Sequence, residues 1–568
     1  MVYAEGLWEL GERVIHVVPT RCLVEELVSS ANKSLGVVKA AGQCSRFTPS
    51  LKDPYLLNPI VYSTIDSYAL NFFKVPVAER QLIALGKNLG HYEIPRYAAF
   101  SSVNVFDEYH LLAPGDEEIS GEDNGSKASY ECNAWTTLTM IIKELIGGGV
   151  FTVLETATPN INALTKLREE FNPEDCYTIA YDASLPYGRH SEGQLEIIND
   201  DEFTNSMLNR KYETIVREAS FKDYACDKAL ELSKSMNVLI ACNTVDEAIS
   251  IYESLKSKTS SIALIHSRFT FRDRERKLKR MRKLIKRGAS IIISTQVIEV
   301  GVNLDFDAII SNAAPLASIV QRVGRVARRL DRSGKFEVHI IYDSKCEYKE
   351  REPQTYSAVY PLKLTKVSFE VIKKAAEKGI SWRLPSSKPI DGLKPYNRMA
   401  EEVYRVATVK NNLELLRILR LILHPATSGR EAESQIAKLV SLVRDTVELP
   451  VSLPSSSLRT LPHMNIIPVR PSILGIHIRK LKDGLEILID EKRAAEVLEF
   501  FDGRVKAIVE LLSPNGEELM EEWLDKRQLA DAITRGLVRV GREKAFFHYL
   551  IIKPEAYSSE LGLRVCPS

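Results

Sequence analysis

Residues 291–329 read IIISTQVIEVGVNLDFDAIISNAAPLASIVQRVGRVARR, a stretch with two apolar runs that are each followed by polar residues. The apolar run Ile291–Ser294 predicts a buried strand, and a polar turn separates it from a second apolar run, Ala308–Ile310. A predicted helix follows and carries four polar side chains: Gln321, Arg322, Arg325 and Arg328. Positions 321, 325 and 328 are spaced by four and three residues, so they are expected on one helix face. A glutamine and two arginines there suit phosphate oxygens, and a solvated basic helix is the alternative interpretation.

The composition excludes several classes of protein. A length of 568 residues predicts three or four domains. The 76 basic and 75 acidic residues nearly cancel, so a nucleic-acid partner must be held in a local groove and not by bulk charge. Eight cysteines without a CxxC pair argue against structural zinc and a disulfide framework, and they indicate a reducing, cytoplasmic location. The chain has no apolar run near the length of a membrane span, so no membrane partner is expected.

Polar residues follow each of a series of predicted strands, which is where open parallel sheets bind ligands. Strands are predicted at 13–19, within 59–70, at 98–106 and at 150–155, and again at 237–242, 261–265 and 291–294, with helices between them. The polar ends of these strands include Pro19, Thr20, Arg21, Thr64, Asp66, His266, Arg268 and Thr295. This repeated pattern predicts two similar α/β lobes that face each other across a cleft. Beyond about residue 342 amphipathic helices dominate, and the end of the chain mixes hairpins with a helix.

A pair of adjacent carboxylates follows the predicted strand 98–106, in the sequence Asp107-Glu108-Tyr109-His110. Asp107 suits a magnesium ion held through water, and Glu108 suits activation of an attacking water molecule. Magnesium favours carboxylates combined with substrate phosphates, which a cleft of this kind would offer. Taken alone, the tetrapeptide fits an ordinary acidic turn at a strand end better than a catalytic site.

Two further polar turns are candidates for ligand contacts. Thr156-Ala157-Thr158-Pro159 places two hydroxyls at the next strand end, where they could connect the two sides of a cleft. The turn after residue 294 contains Thr295, Glu299, Gly301, Asn303 and Asp305. A glycine there lets the backbone approach a ligand closely. The asparagine and the aspartate could meet a ribose or a polymer, or they could simply flank the start of a strand.

The order of these motifs resembles the superfamily 2 helicases, whose two RecA-like lobes share one ATP. The chain has DEYH, then TATP, then the pattern QRxGRxxR, each at a predicted strand end or helix. The resemblance implies catalytic roles for Asp107, Glu108, His110, Gln321, Arg325 and Arg328, with Arg325 and Arg328 as arginine fingers. It implies nucleotide contacts by Glu299, Gly301, Asn303 and Asp305. It also implies nucleic-acid contacts by Pro19, Thr20, Arg21, Thr64, Asp66, Thr156, Thr158, His266, Arg268 and Thr295.

Three details are similar to the CRISPR-associated helicases of type I interference systems. These are His266-Ser267-Arg268-Phe269 followed by Arg272-Asp273-Arg274, the turn Thr295–Glu299 that leads to Asp305-Phe306-Asp307, and the tail Tyr557–Leu563. The resemblance covers about residues 1–345 well and the remainder loosely. Members often carry aspartate where this chain has Asn303, which implies a softened contact there.

That resemblance implies a fold and a set of partners. The expected fold is α/β, with two tandem RecA-like parallel-sheet lobes at 1–205 and 206–345, a helical linker region at 346–450 and an α+β accessory domain at 451–568. The expected work is ATP- and magnesium-dependent translocation along single-stranded DNA from three-prime to five-prime, with unwinding of double-stranded DNA. Because the chain has no paired His-Asp set with further histidines, we expect a separate HD nuclease subunit, and recruitment to a guide-RNA surveillance complex (Cascade).

The chain departs from the helicase pattern in one respect: it contains no G-x-x-x-x-G-K-[ST] phosphate loop. In the family this loop lies one helix before the segment that matches Pro19–Arg21. We therefore expect the chain to start just after it, with the first lobe incomplete at its N-terminus. Two other hypotheses stay open: a general superfamily 2 helicase of DNA repair or RNA metabolism, and a nucleic-acid scaffold that works without ATP.

Overall fold

The structure of the chain is a computed structural model. It describes residues 13–34, 39–44, 51–85, 87, 90–112, 116–117, 133–158, 177–181, 195–198, 200–299, 303–329, 331–348, 355–357, 359–383, 392–404, 407–408, 411–439, 442–443, 448–454, 465–481, 484–513, 516–541 and 543–564. In this part of the chain, no helix is both long enough and apolar enough to cross a membrane.

Lobe 1 is built on a parallel sheet. Its strands are β1 (Val14–Val18), β2 (Ala40–Gln43), β3 (Ile60–Thr64), β4 (Val103–Asp107), the short β5 (Asp116–Glu117) and β6 (Thr152–Glu155). Its helices are α1 (Arg21–Ser34), α2 (Ile65–Phe72), α3 (Arg80–Leu85), α4 (Ile94–Phe100) and α5 (Asn133–Gly147). Five strands pair in the order β2-β3-β1-β4-β6, all parallel. The strands β1 and β3 are almost entirely buried because helices cover both faces of such a sheet.

Lobe 2 repeats this architecture. The parallel pair β7 (Thr178–Tyr181) and β8 (Leu195–Ile198) precedes it, and its own strands are β9 (Arg210–Glu218), β10 (Val238–Ala241), β11 (Ile262–Ile265), β12 (Ile291–Ser294), β13 (Ala308–Asn312) and β14 (Gly334–Tyr342). Its helices are α6 (Asp201–Leu208), α7 (Phe221–Leu232), α8 (Val245–Leu255), α9 (Phe271–Arg287) and α10 (Leu316–Val323). The six strands are parallel in the order β11-β12-β10-β13-β14-β9. The quoted stretch therefore supplies two strands of this sheet and the helix that follows them.

The helices after lobe 2 divide between the two lobes. They are α11 (Leu362–Ala376), α12 (Tyr396–Tyr404), α13 (Leu413–Leu423) and α14 (Gly429–Leu439), with the short strands β15 (Glu347–Tyr348), β16 (Thr355–Tyr356), β17 (Tyr360–Pro361), β18 (Ile380–Ser381), β19 (Lys394–Pro395) and β20 (Ala407–Thr408). Helices α11 and α12 bury their apolar faces in the core of lobe 2. Helices α13 and α14 pack into the core of lobe 1. This region thus ties the lobes together.

The C-terminal domain is α+β. Its strands are β21 (Leu449–Ser452), β22 (Ile467–Val469), β23 (Ile476–Leu481), β24 (Gly484–Ile489), β25 (Phe500–Phe501), β26 (Arg504–Ser513), β27 (Gly516–Leu524), β28 (Leu537–Val540), β29 (Glu543–Ile551), β30 (Tyr557–Ser558) and β31 (Gly562–Leu563). Its helices are α15 (Glu491–Val497) and α16 (Lys526–Arg535). Seven of the strands form one mostly antiparallel sheet around β26 and β29. The predicted fold class of two parallel-sheet lobes, a helical region and an α+β end is confirmed.

Candidate active site

The adjacent carboxylates lie where strand β4 ends. Asp107 is the last residue of this strand, and its neighbour on β1, His16, places Nε2 3.8 Å from Asp107 Oδ2. Glu108 follows with φ +51°, a left-handed conformation that is uncommon for a residue with a side chain. Such conformations are held by their surroundings, and here the surroundings come from both lobes.

Glu108 is bonded across the cleft to lobe 2. Gln321 of α10 donates a hydrogen bond from Nε2 to Glu108 Oε1 at 2.8 Å. The other carboxylate oxygen lies 3.2 Å from His110 Nδ1. Burial acts to raise the pKa of Glu108, but the hydrogen bond and charge of His110, with the bonds from Gln321 and the Ala157 N–H, hold that pKa below its usual value. Glu108 is therefore an ionised, oriented carboxylate at neutral pH.

The hydroxyl of Thr156 connects the end of β6 to this carboxylate. Thr156 Oγ1 lies 2.7 Å from His110 Nδ1 and also accepts the Thr158 N–H at 3.1 Å. From the helical region, the Tyr396 hydroxyl donates to the Ala157 carbonyl oxygen at 3.1 Å. Thr156 and Thr158, which were predicted to contact nucleic acid, thus lie in the hydrogen-bonded surroundings of Glu108.

A fully buried arginine next to Gln321 organises lobe 2. The Arg322 guanidinium donates to Glu299 Oε1 at 2.8 Å, Ser311 Oγ at 2.9 Å, the Asn312 carbonyl at 3.0 Å, Asn243 Oδ1 at 2.9 Å and the Tyr360 hydroxyl at 3.1 Å. Although burial lowers the pKa of Arg322, Tyr360 and Glu299 raise it above its ordinary value. Arg322 was absent from the predicted site residues. Its position among Ile319 and Val323 on an apolar helix face was the available signal for a buried ion pair.

The prediction that Gln321, Arg325 and Arg328 share one helix face is wrong. Helix α10 ends at Val323, and Gly324 caps it with a hydrogen bond from its N–H to the Val320 carbonyl at 2.8 Å. The chain then leaves the helix axis because residue 326 forms a bridge with residue 306, next to β13.

The two predicted arginine fingers therefore have different surroundings. Arg325 is buried, and its guanidinium donates to the backbone oxygen of Glu299. Arg328 is exposed, and its backbone N–H donates to Asp305 Oδ1 at 2.8 Å.

The predicted nucleotide-contacting turn is partly turned inward. Thr295 is buried at the start of a short 3₁₀ helix, Gln296–Ile298. Glu299 is buried against Arg322, while Asn303 is exposed and Asp305 accepts from Arg332 Nη1 at 3.4 Å. Gly301 lies outside the described residues. Of this set, Asn303 is the side chain most open to a ligand in this structure.

The lobe 1 residues predicted to meet a polymer lie on the same edge of the sheet as Asp107. Pro19, Thr20 and Arg21 follow β1, and Arg21 Nη2 lies 3.8 Å from Glu448 Oε2. Thr64 ends β3 and is buried, and its hydroxyl caps α2 by accepting the Ser67 N–H at 3.4 Å. Asp66, in the first turn of α2, is half-buried.

The two remaining predicted contacts, His266 and Arg268, are buried in lobe 2. His266 is covered by the C-terminal tail, and its Nε2 lies 3.0 Å from the Leu561 carbonyl oxygen. Burial holds the pKa of His266 well below its usual value. Arg268 pairs with Asp246 at 2.7 Å. Their burial argues against direct contact of these two side chains with a polymer.

A carboxylate of lobe 1 is thus bonded to the helix of lobe 2 that precedes Arg325 and Arg328. Residues 234–331 match the family model described as "CRISPR-associated nuclease/helicase Cas3, C-terminal". The chain is 25% identical over 353 residues to the CRISPR-associated helicase Cas3 of Thermoproteus tenax, covering 60% of this chain and 49% of that relative. It is 36% identical over 113 residues to the CRISPR-associated endonuclease/helicase Cas3 of Escherichia coli, covering 18% of this chain and 13% of that relative.

Among solved structures, T. fusca Cas3 with ADP superposes with a TM-score of 0.52 at 16% identity, covering 81% of this chain and 58% of that chain. At this identity the likeness supports the fold. Together these matches confirm the predicted resemblance to CRISPR-associated helicases. The chain spans about half the length of the Thermoproteus tenax relative.

Proposed function

We propose that this chain is an ATP-driven motor that moves along single-stranded DNA from three-prime to five-prime during CRISPR interference. The observation that carries the proposal is the 2.8 Å hydrogen bond between Gln321 of lobe 2 and Glu108 of lobe 1. A motor of this class needs a catalytic site that forms only when two lobes meet. A bond between the candidate base and the opposite lobe meets that requirement, because the bond forms when the cleft closes and breaks when the cleft opens.

In the proposed reaction Glu108 accepts a proton from the attacking water. Its lowered pKa keeps it ionised, Gln321 orients one of its oxygens, and the His110 imidazole lies 3.2 Å from the other. Arg325 and Arg328 are the cations proposed to neutralise charge on the transferring phosphate. Arg325 now donates to the backbone of Glu299, so in the proposed cycle it exchanges that oxygen for a phosphate oxygen.

The cofactors proposed are ATP and magnesium. Asp107 offers a half-buried carboxylate at the strand end, a donor that fits magnesium held chiefly by substrate phosphates and water. Within the described residues, no cluster of three or more His, Cys, Asp or Glu side chains could hold a metal by itself. When bound, the ion would neutralise phosphate charge.

The proposed partners are single- and double-stranded DNA, a guide-RNA surveillance complex and a separate HD nuclease. The Thermoproteus tenax relative, which aligns over 353 residues, is named a CRISPR-associated helicase, whereas the Escherichia coli relative is named an endonuclease/helicase. The proposal of a nuclease on another chain rests on the sequence, which has no paired His-Asp set with further histidines.

A strand-displacement assay tests direction and ATP dependence together. Duplexes that carry a single-stranded tail at the three-prime or at the five-prime end are mixed with the chain, ATP and magnesium. We expect release of a labelled strand from the three-prime-tailed duplex only, and its loss in Glu108→Gln. Equal release from both tails would contradict the stated direction, and release without ATP would contradict the motor.

Gln321→Ala and Gln321→Glu test the bond between the lobes. A hydrogen bond to a charged group contributes about 1.5–3 kcal/mol, so Gln321→Ala should slow displacement about ten- to a hundredfold. Gln321→Glu sets a second carboxylate against Glu108 and should slow it further. Equal, unchanged rates in both variants would show that this contact plays no part.

A further inference from the structure

Helix α9 of lobe 2 has one apolar face and one cationic face. Met281 and Leu284 are buried in the lobe 2 core, and Leu278 and Ile285 pack against it. The opposite face exposes eight basic side chains: Arg272, Arg276, Lys279, Arg280, Arg282, Lys283, Lys286 and Arg287. Glu275 is the single exposed acid on this helix. These eight residues are called the α9 basic face.

The charge of this helix is out of proportion to the rest of the molecule. Its 17 residues include ten basic and two acidic residues, whereas the whole chain has a net charge of only +1. Among the described residues, Arg276 is the one member of the α9 basic face with a carboxylate within 4 Å, Asp273 at 3.5 Å. A solvated surface helix would normally mix both signs, whereas the described part of lobe 2 supplies this face with only the Asp273 carboxylate.

The dimensions of the face match a double-stranded nucleic acid. At about 1.5 Å per residue the helix is about 25 Å long, and at about 100° per residue the eight side chains cover an arc of about 160°. Duplex DNA carries one charge per about 1.7 Å, so 25 Å of it carries about 15 charges, of which about half face one side. Eight cations therefore balance the phosphates on one side of a duplex of this length.

The helix also begins at the edge of the sheet that carries the candidate site. It follows β11, which ends at Ile265, and Thr270 caps its first turn by accepting the Asp273 N–H at 3.2 Å. The carboxyl ends of β12 and β13 lie on this same edge, since the three strands run parallel in one sheet. A duplex lying along α9 would thus lead to the cleft.

We propose that the α9 basic face binds the phosphate backbone of duplex DNA outside the cleft between the lobes. The inference takes from the proposed function only that the chain meets DNA, and it requires no nucleotide and no turnover. Phosphate contacts of this kind carry no sequence information, which suits a protein that must engage any target.

Duplex binding is measured on the full chain by fluorescence anisotropy, with a labelled blunt duplex, without nucleotide and across a salt series. The test variant is Lys279→Gln with Lys283→Gln, two exposed residues at the centre of the face. The matched control is Lys374→Gln with Lys378→Gln, which removes the same charge at the same spacing from exposed positions at the end of α11. Each phosphate contact adds about 0.9 to the slope of log affinity against log salt.

We expect the test variant to bind duplex about ten- to a hundredfold more weakly near 0.1 M salt, with a slope smaller by about two, and the control to change less than twofold. Lys279→Glu with Lys283→Glu should weaken binding further.

Equal losses in test and control variants would show that only the total charge of the chain matters, and they would overturn the proposal. Unchanged duplex binding would also overturn the proposal, and an acidic protein would then be the expected partner of the α9 basic face. A loss confined to a labelled single strand would refute the assignment to duplex. Failure of the motor assay leaves all of these outcomes unaffected.

Discussion

Replacing Arg322 by methionine tests whether one buried ion pair holds lobe 2 together. The guanidinium is fully buried and donates to two strand ends, to Glu299 and to Tyr360. Methionine keeps much of the volume but removes every one of these bonds, and it leaves the Glu299 carboxylate buried without its cation. Breaking a buried pair from one side costs about 3–5 kcal/mol, and we expect Arg322→Met to destabilise lobe 2 by that amount.

The second substitution of the cycle is Glu299→Leu. Most of the penalty in Arg322→Met comes from the unpaired carboxylate, so removing the carboxylate as well should recover at least about 1.5 kcal/mol. The double variant is therefore expected to be more stable than Arg322→Met alone. Hydrogen exchange of peptides from β10, β12 and β13 reports the opening free energy of this lobe within the full chain. Costs that simply add in the double variant would refute the claim that the two side chains depend on each other.

Three further substitutions test other parts of the account. His110→Gln removes the charge and hydrogen bond that lower the pKa of Glu108, so the acid side of the ATPase pH profile should move to higher pH; an unmoved profile would contradict this coupling. Burial raises the pKa of Glu247 to about 7, so the folded chain holds this proton more tightly than the unfolded chain, and stability should fall by up to about 3 kcal/mol as pH rises from about 4.5 to 7. Glu247→Gln should flatten that dependence in thermal unfolding at pH 5 and pH 8. Gly562 has φ +76°, and a Cβ there would lie 2.7 Å from a lobe 2 carbonyl oxygen, so Gly562→Ala should expose the tail to proteolysis. The control is Gly541→Ala: its φ of +61° imposes a similar backbone strain, but no atom lies near the added Cβ, so the tail should stay protected from proteolysis.

The parallel strands of both lobes could be predicted because their residues are apolar without alternation. Runs such as Ile291–Ser294 and Val238–Ala241 are buried on both faces, and a buried strand leaves that pattern in the sequence. The polar strand ends predicted two lobes that face each other across a cleft, and Glu108 of lobe 1 does bond to Gln321 of lobe 2. These features could be predicted because the pattern of apolar residues in a sequence reflects which residues are buried.

Contacts between distant segments had no comparable signal. The end of α10 at Val323 depends on a bridge from Phe306 to Val326, which helical spacing cannot reveal. The docking of the tail on lobe 2 rests on the Leu561 side chain in the core of that lobe and on a bond to His266. The exact limits of the four predicted domains remain a prediction.

The same reasoning applies to the helical region. Its amphipathic helices were predicted, but amphipathicity does not name the surface that is covered. Met399 of α12 enters the core of lobe 2, whereas Leu419 of α13 enters the core of lobe 1. A segment expected to be a linker therefore belongs to both lobes.

ATP hydrolysis by this chain, with and without single-stranded DNA and beside Glu108→Gln, tests the central claim most directly. The account predicts turnover that DNA stimulates and that the substitution removes, since the carboxylate bonded to Gln321 is the proposed base. Because the sequence has no glycine-rich phosphate loop, such turnover would also show that other residues grip the phosphates, and it would contradict the expectation that lobe 1 is incomplete. Absence of turnover in a folded, DNA-binding chain, or turnover that survives in Glu108→Gln, would contradict the claim that these residues form a working ATPase site.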